Sequence, residues 1–588
     1  MDASTSASVA AYLTSLTYAL GHDSKFKTAG GTLCSWNAFS RIDLRVEVRI
    51  PGGVEAYGID ERGEKRAATE ELWQETYLCG MLRALLYPDD PQFQSLQGCR
   101  KLIPLPVPEA EERFLSCLET LFFHGPSLGA EPVCQVPSLL CNYLVSGLKT
   151  YLHTTGRFDM GVHVLEKLVV KDPEVNALLA SIVIEMDEEV RAVRLMHEFL
   201  LSYPMNAQTL LLQSEFLTSK SQKTLALQMA QRAVNAAPSE FLTWRRLAQC
   251  HIDLENYSEA LLCLNSCPMF TPTEGPLPRM PSPAKAYLPI PTEAVLDDTE
   301  LDGSEIVDPT LMKLPAPALR GTFKEAYDLL TQIVDKLGWD ALLRRRSLVF
   351  VMEEEYRNEK TRPNRQSTDA VKSDAGDIPK NGDAQEENSA AMNEDLHATE
   401  VLKPEPVIPA VEAKASEEND STPQPFKDKR LCERWLDNLF MVMYEDFRVY
   451  TIWRAELAHF SSHEVPYRKS CLEHEILADL ALRLHHPAEA MQSFRAALGE
   501  RFSRKAWRAI VSQYPDLDMT QALEGVVRLI VYAHRWYEEY NPGILQILRR
   551  MVDQEGPVKI KSRLAATKFA PDIIALVEGW IQLLPASD

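Results

Sequence analysis

No run in this 588-residue sequence is long and apolar enough to cross a bilayer. The uncharged stretch between Pro132 and Leu148 is too short and is interrupted by Pro137, while the apolar stretch Val9–Leu20 follows Asp2 with no basic segment before it. Neither a membrane span nor a secretory leader is therefore expected. Positive charge is scarce as well: 62 Lys and Arg against 84 Asp and Glu give a net charge of −22, which disfavours nucleic acid as a partner. The 11 cysteines form no tight framework, so reduced thiols in a cytosolic setting are expected. Cys263 and Cys267 stand one helical turn apart, but no CxxC and no regularly spaced histidine accompanies them, and they read as buried small residues rather than metal ligands. A P-loop, GxGxxG and HExxH are all missing, so no cofactor or metal is expected.

What is present is a repeat. Ala192, Ala226 and Ala260 recur every 34 residues, as do Pro204, Pro238 and Pro272. That is the tetratricopeptide (TPR) period: a small residue lets paired helices approach closely, and a proline stops the second helix because it lacks the N–H and clashes with the preceding turn. The clearest copy is Phe241–Glu274, with Trp244, Leu247, Ala248, Tyr257, Ala260, Leu264 and Pro272 at the large, small and breaker positions. Ala207–Glu240 and Pro173–Asn206 share the register, and a weaker copy before Pro173 supplies Leu148, Leu152, Gly161 and Leu165. The fold class is mainly α, a TPR-type α-solenoid with a small N-terminal β-containing element and a C-terminal helical region. Stacked repeats leave a concave face free for a partner.

Five regions follow from composition: a mixed α/β element over 1–130, the solenoid over 131–285, a Pro-rich connection and helices over 286–352, an acidic insert over 353–425, and a C-terminal helical region over 426–588. Ile42–Ile50 alternates apolar and charged residues with the period of a strand, Val54–Ile59 is its hairpin return, and Glu70–Leu86 reads as an amphipathic helix. The insert holds 18 Asp and Glu against 8 Lys and Arg with a single aromatic residue, too little apolar surface to offset its ordering entropy. Beyond it, Leu431–Phe460 is dense in aromatics, which suits a buried helical region, and Cys471–Phe502 repeats the TPR pattern through Leu477, Ala478, Ala490, Phe494 and Ala497.

Gly125-Pro126-Ser127-Leu128-Gly129 matches GxSxG, yet a nucleophile elbow needs a strand before the serine, and Leu115–Phe123 reads as helix. No enzyme activity is expected. His485-His486 falls in the turn of the late TPR-like pair and reads as exposed, and Asn419-Asp420-Ser421 is a chance glycosylation sequon in the insert. Some TPR domains clamp a chaperone's terminal carboxylate with basic inner residues; here the inner positions Ala177, Leu178, Leu211 and Leu212 are apolar, with only Arg245 and Arg246 basic. The concave face therefore suits an apolar partner segment, with Leu211, Leu212, Leu242, Arg245, Arg246 and Gln249 as its candidate contacts. Near the C-terminus Lys559, Lys561, Arg563 and Lys568 cluster beside Trp580, a candidate contact with anionic lipid, against the plainer alternative of a solvated face beside a core helix.

Four strings go beyond a generic TPR: KRLCERWLDNLFMVMYEDFRVYTIWRAE at Lys429–Glu456, LADLALRLHH at Leu477–His486, LNSCPMF at Leu264–Phe270 and VFVMEEEY at Val349–Tyr356. With them the chain resembles the fungal ChAPs family, the cargo-selecting subunits of the exomer coat at the trans-Golgi network. The resemblance implies a non-enzymatic adaptor in a hetero-oligomer. It would dock on the exomer scaffold subunit, be recruited by an Arf-type GTPase in its GTP form, and bind cytosolic tails of membrane cargo such as chitin synthase. It would work in the cytoplasm, peripherally on an anionic membrane surface.

Overall fold

The computed structural model describes residues 30–49, 53–87, 108–271, 307–352, 429–535, 540–567 and 569–584, with positions 7 and 11 near the N-terminus. The acidic insert 353–425, most of the Pro-rich connection, Pro272 and Lys568 lie outside the described residues. The chain divides into one unit of Met1–Val349 with Glu433–Asp588 and a second of Phe350–Cys432.

The first unit opens with an antiparallel sheet in the order β1 (Gly30–Asn37), β2 (Ile42–Arg49), β3 (Val54–Ile59), β4 (Lys65–Ala67). The alternation read in the sequence sets the face: Leu44, Val46 and Val48 are buried, while Arg45 and Glu47 are only half-buried on the other side. Strands β1 and β4 carry no such alternation and were not expected. Helix α1 (Glu70–Leu86) starts where Thr69 accepts a hydrogen bond from the Leu72 N–H, with Glu70 and Glu71 in its first turn.

α2 (Pro108–Leu121) leads to the repeats: α3 (Tyr143–Thr155) with α4 (Phe158–Lys171), α5 (Asn176–Glu185) with α6 (Glu189–Ser202), α7 (Ala207–Ser219) with α8 (Lys223–Ala236), and α9 (Phe241–Asp253) with α10 (Tyr257–Asn265). Ala192, Ala226 and Ala260 have no exposed surface, as the close approach of paired helices requires. Gly161 fills the corresponding slot in the weaker copy: a Cβ there would lie 2.5 Å from Leu152 Cδ1. Helices α6 and α8 stop two residues before Pro204 and Pro238. Between paired helices one residue turns left-handed, Asp187 (φ 60°), Ser221 (φ 59°) and Glu255 (φ 62°), and the next N–H donates back to the first helix: Glu188 to Val183, Gln222 to Leu217, Asn256 to His251.

Beyond the solenoid come α11 (Pro309–Met312), α12 (Gly321–Leu337) and α13 (Trp339–Val349), then α14 (Arg434–Ser462), α15 (Cys471–Arg483) with α16 (Pro487–Glu500), α17 (Arg504–Val511), α18 (Met519–Arg535), α19 (Pro542–Glu555), α20 (Pro557–Ala565) and α21 (Pro571–Gln582). The α15–α16 pair is the same motif as the repeats: His485 turns at φ 61° and the His486 N–H donates to Ala481. Helix α12 packs on α9, α13 on α10, and α14 on both α12 and α15. Helix α19 returns to α3, so one hydrophobic core joins Tyr77, Leu118 and Tyr151 to Leu545, Val577 and Trp580. In the second unit β5 (Phe350–Val351) and β6 (Arg430–Leu431) pair in parallel, and the Cys432 N–H donates to the Val351 carbonyl.

Three expectations need correction. Cys134 and Cys141 are joined in a disulfide, where the sequence suggested free thiols: their loop folds back so that the Ser138 N–H donates to the Cys141 carbonyl. His486 is half-buried and stacks on Tyr450 with ring centroids 4.8 Å apart, because the repeat turn places it at the start of α16 against α14. The aromatic block of α14 is not wholly buried either: Tyr444 is exposed on a helix whose other face carries Phe440, Met443 and Trp453 into the core.

Candidate partner-binding site

Helices α5, α7 and α9 are the first helices of successive repeats and touch one another in order, so their inward faces form a common wall. Asn206 caps α7 by accepting from the Thr209 N–H, which fixes the rotation that sends Leu211 and Leu212 to this wall. The wall bounds a cavity of about 280 Å³. All six candidate contacts line it, Leu211, Leu212, Leu242, Arg245, Arg246 and Gln249, together with Ala177 and Leu178 of α5. Leu140, from the loop closed by the disulfide, and Lys149 of α3 also line it; neither has repeat periodicity, so sequence reasoning passed over them.

The two arginines are already engaged. Arg246 Nε donates to Ser214 Oγ at 2.9 Å and its Nη2 to the Ser214 carbonyl at 2.8 Å, while Arg245 Nε lies 3.0 Å from a Glu325 carboxylate oxygen on α12. Gln249 donates to Asp253 at 3.2 Å. Ser181, Gln208 and Glu215 line the cavity as well, so the leucines share it with polar and charged side chains, and a partner segment with both apolar and polar side chains fits it. Cys250, beneath the wall, has its thiol pushed up by burial and lies 3.5 Å from Ser214 Oγ. Cys267 is also buried, its thiol pushed up first by burial, and donates to the Cys263 carbonyl.

The C-terminal basic cluster is assembled only in part. Lys559, Lys561 and Arg563 are exposed on α20; Lys559 pairs with Glu555, and Arg563 Nη1 reaches Thr520 Oγ1 at 3.4 Å. Trp580 is 3% exposed and belongs to the core with Ile573 and Val577, because α21 turns its apolar face inward. Val558, 79% exposed beside the lysines, is the apolar side chain that this surface does present. Ser127 lies in a 3-10 turn over Phe122–Leu128 and donates to the His124 carbonyl, which is not the strand, turn and helix of a nucleophile elbow.

The family model described as ChAPs (Chs5p-Arf1p-binding proteins) matches residues 1–357. The chain belongs to the ChAPs family. Uncharacterized protein C31F10.16 of Schizosaccharomyces pombe is 42% identical to this ChAPs chain over 597 residues, covering 98% of it and 88% of the relative. Protein BCH1 of Saccharomyces cerevisiae is 29% identical over 638 residues, covering 95% and 81%. Among solved structures, the Chs5-Bch1 exomer cargo adaptor complex holds a chain that matches with TM-score 0.76 at 26% identity, covering 100% of this ChAPs chain and 92% of that one. A chain of the Chs5-Chs6 exomer cargo adaptor complex bound to a portion of Chs3 shares the fold, with TM-score 0.65 at 19% identity and coverage of 94% and 84%. Among the described residues, no helix of this ChAPs chain is long and apolar enough to cross a membrane.

Proposed function

We propose that this chain is a non-enzymatic cargo-adaptor subunit of an exomer-like coat. It docks on a scaffold subunit, is recruited by an Arf-type GTPase in its GTP form, and carries the cytosolic tails of membrane cargo from the trans-Golgi network toward the plasma membrane. The observation that carries this reading is the match over 100% of the chain, at TM-score 0.76, to a chain of a complex between a scaffold and a cargo adaptor. The concave wall, where Leu211, Leu212 and Leu242 stand beside two arginines engaged within the chain, is consistent with it, since such a surface can take up a protein segment by burial. The exposed Lys559, Lys561 and Arg563 supply the charge that an anionic membrane surface would attract.

The test is reconstitution with the scaffold subunit on anionic liposomes, with and without Arf-GTP, followed by crosslinking and peptide-level site mapping. Recruitment that requires Arf-GTP, with crosslinks from scaffold and cargo tail, supports the adaptor. A soluble complex indifferent to membrane and GTPase would make the chain a general TPR scaffold instead.

A further inference from the structure

Three consecutive arginines occur once in this sequence, at Arg344–Arg346, and a serine follows them directly. Ser347 thus has arginine both three and two residues before it, a combination that no other serine or threonine of the chain has. Helix α13 presents the string to solvent. Arg344, Arg345, Ser347 and Leu348 are exposed, Leu348 at 64%. Arg346 turns the other way: it pairs with Asp437 of α14, and its guanidinium carbon lies 4.6 Å from the centre of the Phe440 ring. Among the described residues Arg344 and Arg345 form no ion pair of their own.

The end of α13 is also the part of it that is easiest to open. Leu342 is the one buried residue of this helix, so the turns that carry Arg344 to Leu348 are held by no buried apolar side chain. A helix so short is marginal by its own propensity, and helix ends open at the low end of a protein's range of local stability. The Ser347 hydroxyl donates to the Arg344 carbonyl at 2.8 Å, a bond within one turn that breaks when that turn opens. A protein kinase needs such a segment, since it reads its substrate as an extended stretch laid along a groove.

We propose that Ser347 is a phosphorylation site, modified by a protein kinase that selects arginine three and two residues before its acceptor. Carboxylates in the groove of such a kinase take the guanidinium groups in paired hydrogen bonds, and its choice of substrate rests on that charge pattern. Arg344 and Arg345 are the residues left unpaired to fill those places, and Leu348 offers an apolar side chain just past the serine. In the reaction the Ser347 oxygen bonds to the γ-phosphorus of ATP and the bond from that phosphorus to the β,γ-bridging oxygen breaks. ADP leaves with the electron pair, and the hydroxyl proton passes to the catalytic aspartate of the kinase. The product carries between about one and a half and two negative charges at the end of α13, where the helix dipole is already negative. Arg344, on the same face, is the nearest cation to offset them, but it precedes the phosphate, the less favourable order on a helix. Phosphorylation therefore loosens the last turns of α13. The site stands independently of the adaptor reading above.

The experiment incubates the full chain with the catalytic subunit of a cyclic-AMP-dependent protein kinase, magnesium and radiolabelled ATP, and places the phosphate by mass spectrometry. Label enters at Ser347, and Ser347→Ala loses it there. Arg344→Gln and Arg345→Gln each slow it roughly tenfold, as the loss of one charged hydrogen-bonded pair predicts. All three substitutions lie at exposed positions, so the variants melt like the parent. In the phosphorylated chain amide exchange is faster over the last two turns of α13 and unchanged in the solenoid. Protein recovered from its own cells, with phosphatase inhibitors present, carries phosphate at the same serine.

Four results overturn the site: label confined to other serines or threonines, such as those of the 353–425 segment; rates that Arg344→Gln and Arg345→Gln leave unchanged; a folded chain that stays unlabelled while the denatured chain is labelled at Ser347, because the fold then withholds the serine; or Ser347 without phosphate in protein recovered from its cells. Unchanged exchange in a labelled α13 overturns the loosening of the helix.

Discussion

Arg483 Nε lies 3.0 Å from the carboxylate of Asp446, a residue with no exposed surface. The same carboxylate accepts from the Tyr327 hydroxyl at 2.7 Å, so one buried charge ties α12, α14 and α15 together. Burial, then the charge and hydrogen bond of Asp446, push the Tyr327 phenol up and keep it a donor. Such a pair contributes little net stability over an apolar substitute, but removing one partner strands the other. Asp446→Ala is expected to destabilise the protein by about 3–5 kcal/mol, read by denaturant titration. A loss below about 1 kcal/mol would place this carboxylate among screened surface charges.

The repeat register has its own test. Ala260 is fully buried where α10 crosses its neighbours, and added methylenes there must displace packed atoms. Ala260→Leu is expected to cost about 1–3 kcal/mol. Leu225→Ala, at an exposed position of α8, should leave the melting temperature nearly unchanged.

Histidine makes stability depend on pH. Burial holds His251 and His474 below the ordinary histidine range; His251 faces Glu259, and His474 has Glu500, Glu473 and Lys469 around it. As pH falls through about 6.5 the unfolded chain takes up a proton on each imidazole and the native chain does not, so stability is full above that pH and declines below it. Thermal melts between about pH 7.5 and pH 5.5 should show the decline, and His474→Gln should reduce it.

For the basic surface, Lys559→Glu, Lys561→Glu and Arg563→Glu combined should sharply reduce sedimentation with anionic liposomes, each charge being worth about 1 kcal/mol near such a surface. Added salt should have the same effect on the unaltered protein. Trp580→Ala should instead lower the melting temperature, because its ring lies in the core. Equal binding by the charge variant would return this segment to an ordinary solvated face.

The solenoid was legible because its requirements are local: a small residue at each crossing and a breaker after each second helix, visible at Ala192, Ala226, Ala260, Pro204 and Pro238. The left-handed turns were not, because Asp187, Ser221 and Glu255 are not glycines and share no side-chain chemistry. The concave residues were found from the same register, but not that Arg246 is spent on Ser214, a contact between helices that no spacing announces. Trp580 was misplaced for the converse reason. An apolar helix beside lysines reads alike whether its face meets lipid or core, and only the return of the C-terminal helices to α3 decides that it meets the core. Strand β1, nearly without alternation, gave periodicity nothing to detect.

The parallel ladder of Phe350–Val351 with Arg430–Leu431 brings the two ends of the intervening segment side by side. The composition of 353–425 predicts a segment without a core of its own, and closing a loop of that kind costs only about 0.6 kcal/mol more for each doubling of its length, so a change in its length should carry little thermodynamic penalty. A parallel pair does impose a floor, since the chain must travel back along the strand before pairing again, which takes about a dozen residues. The ladder thus acts as a splice port. A fluorescent domain or an affinity handle inserted between its strands should leave the melting temperature nearly unchanged, and natural variation in length should concentrate there.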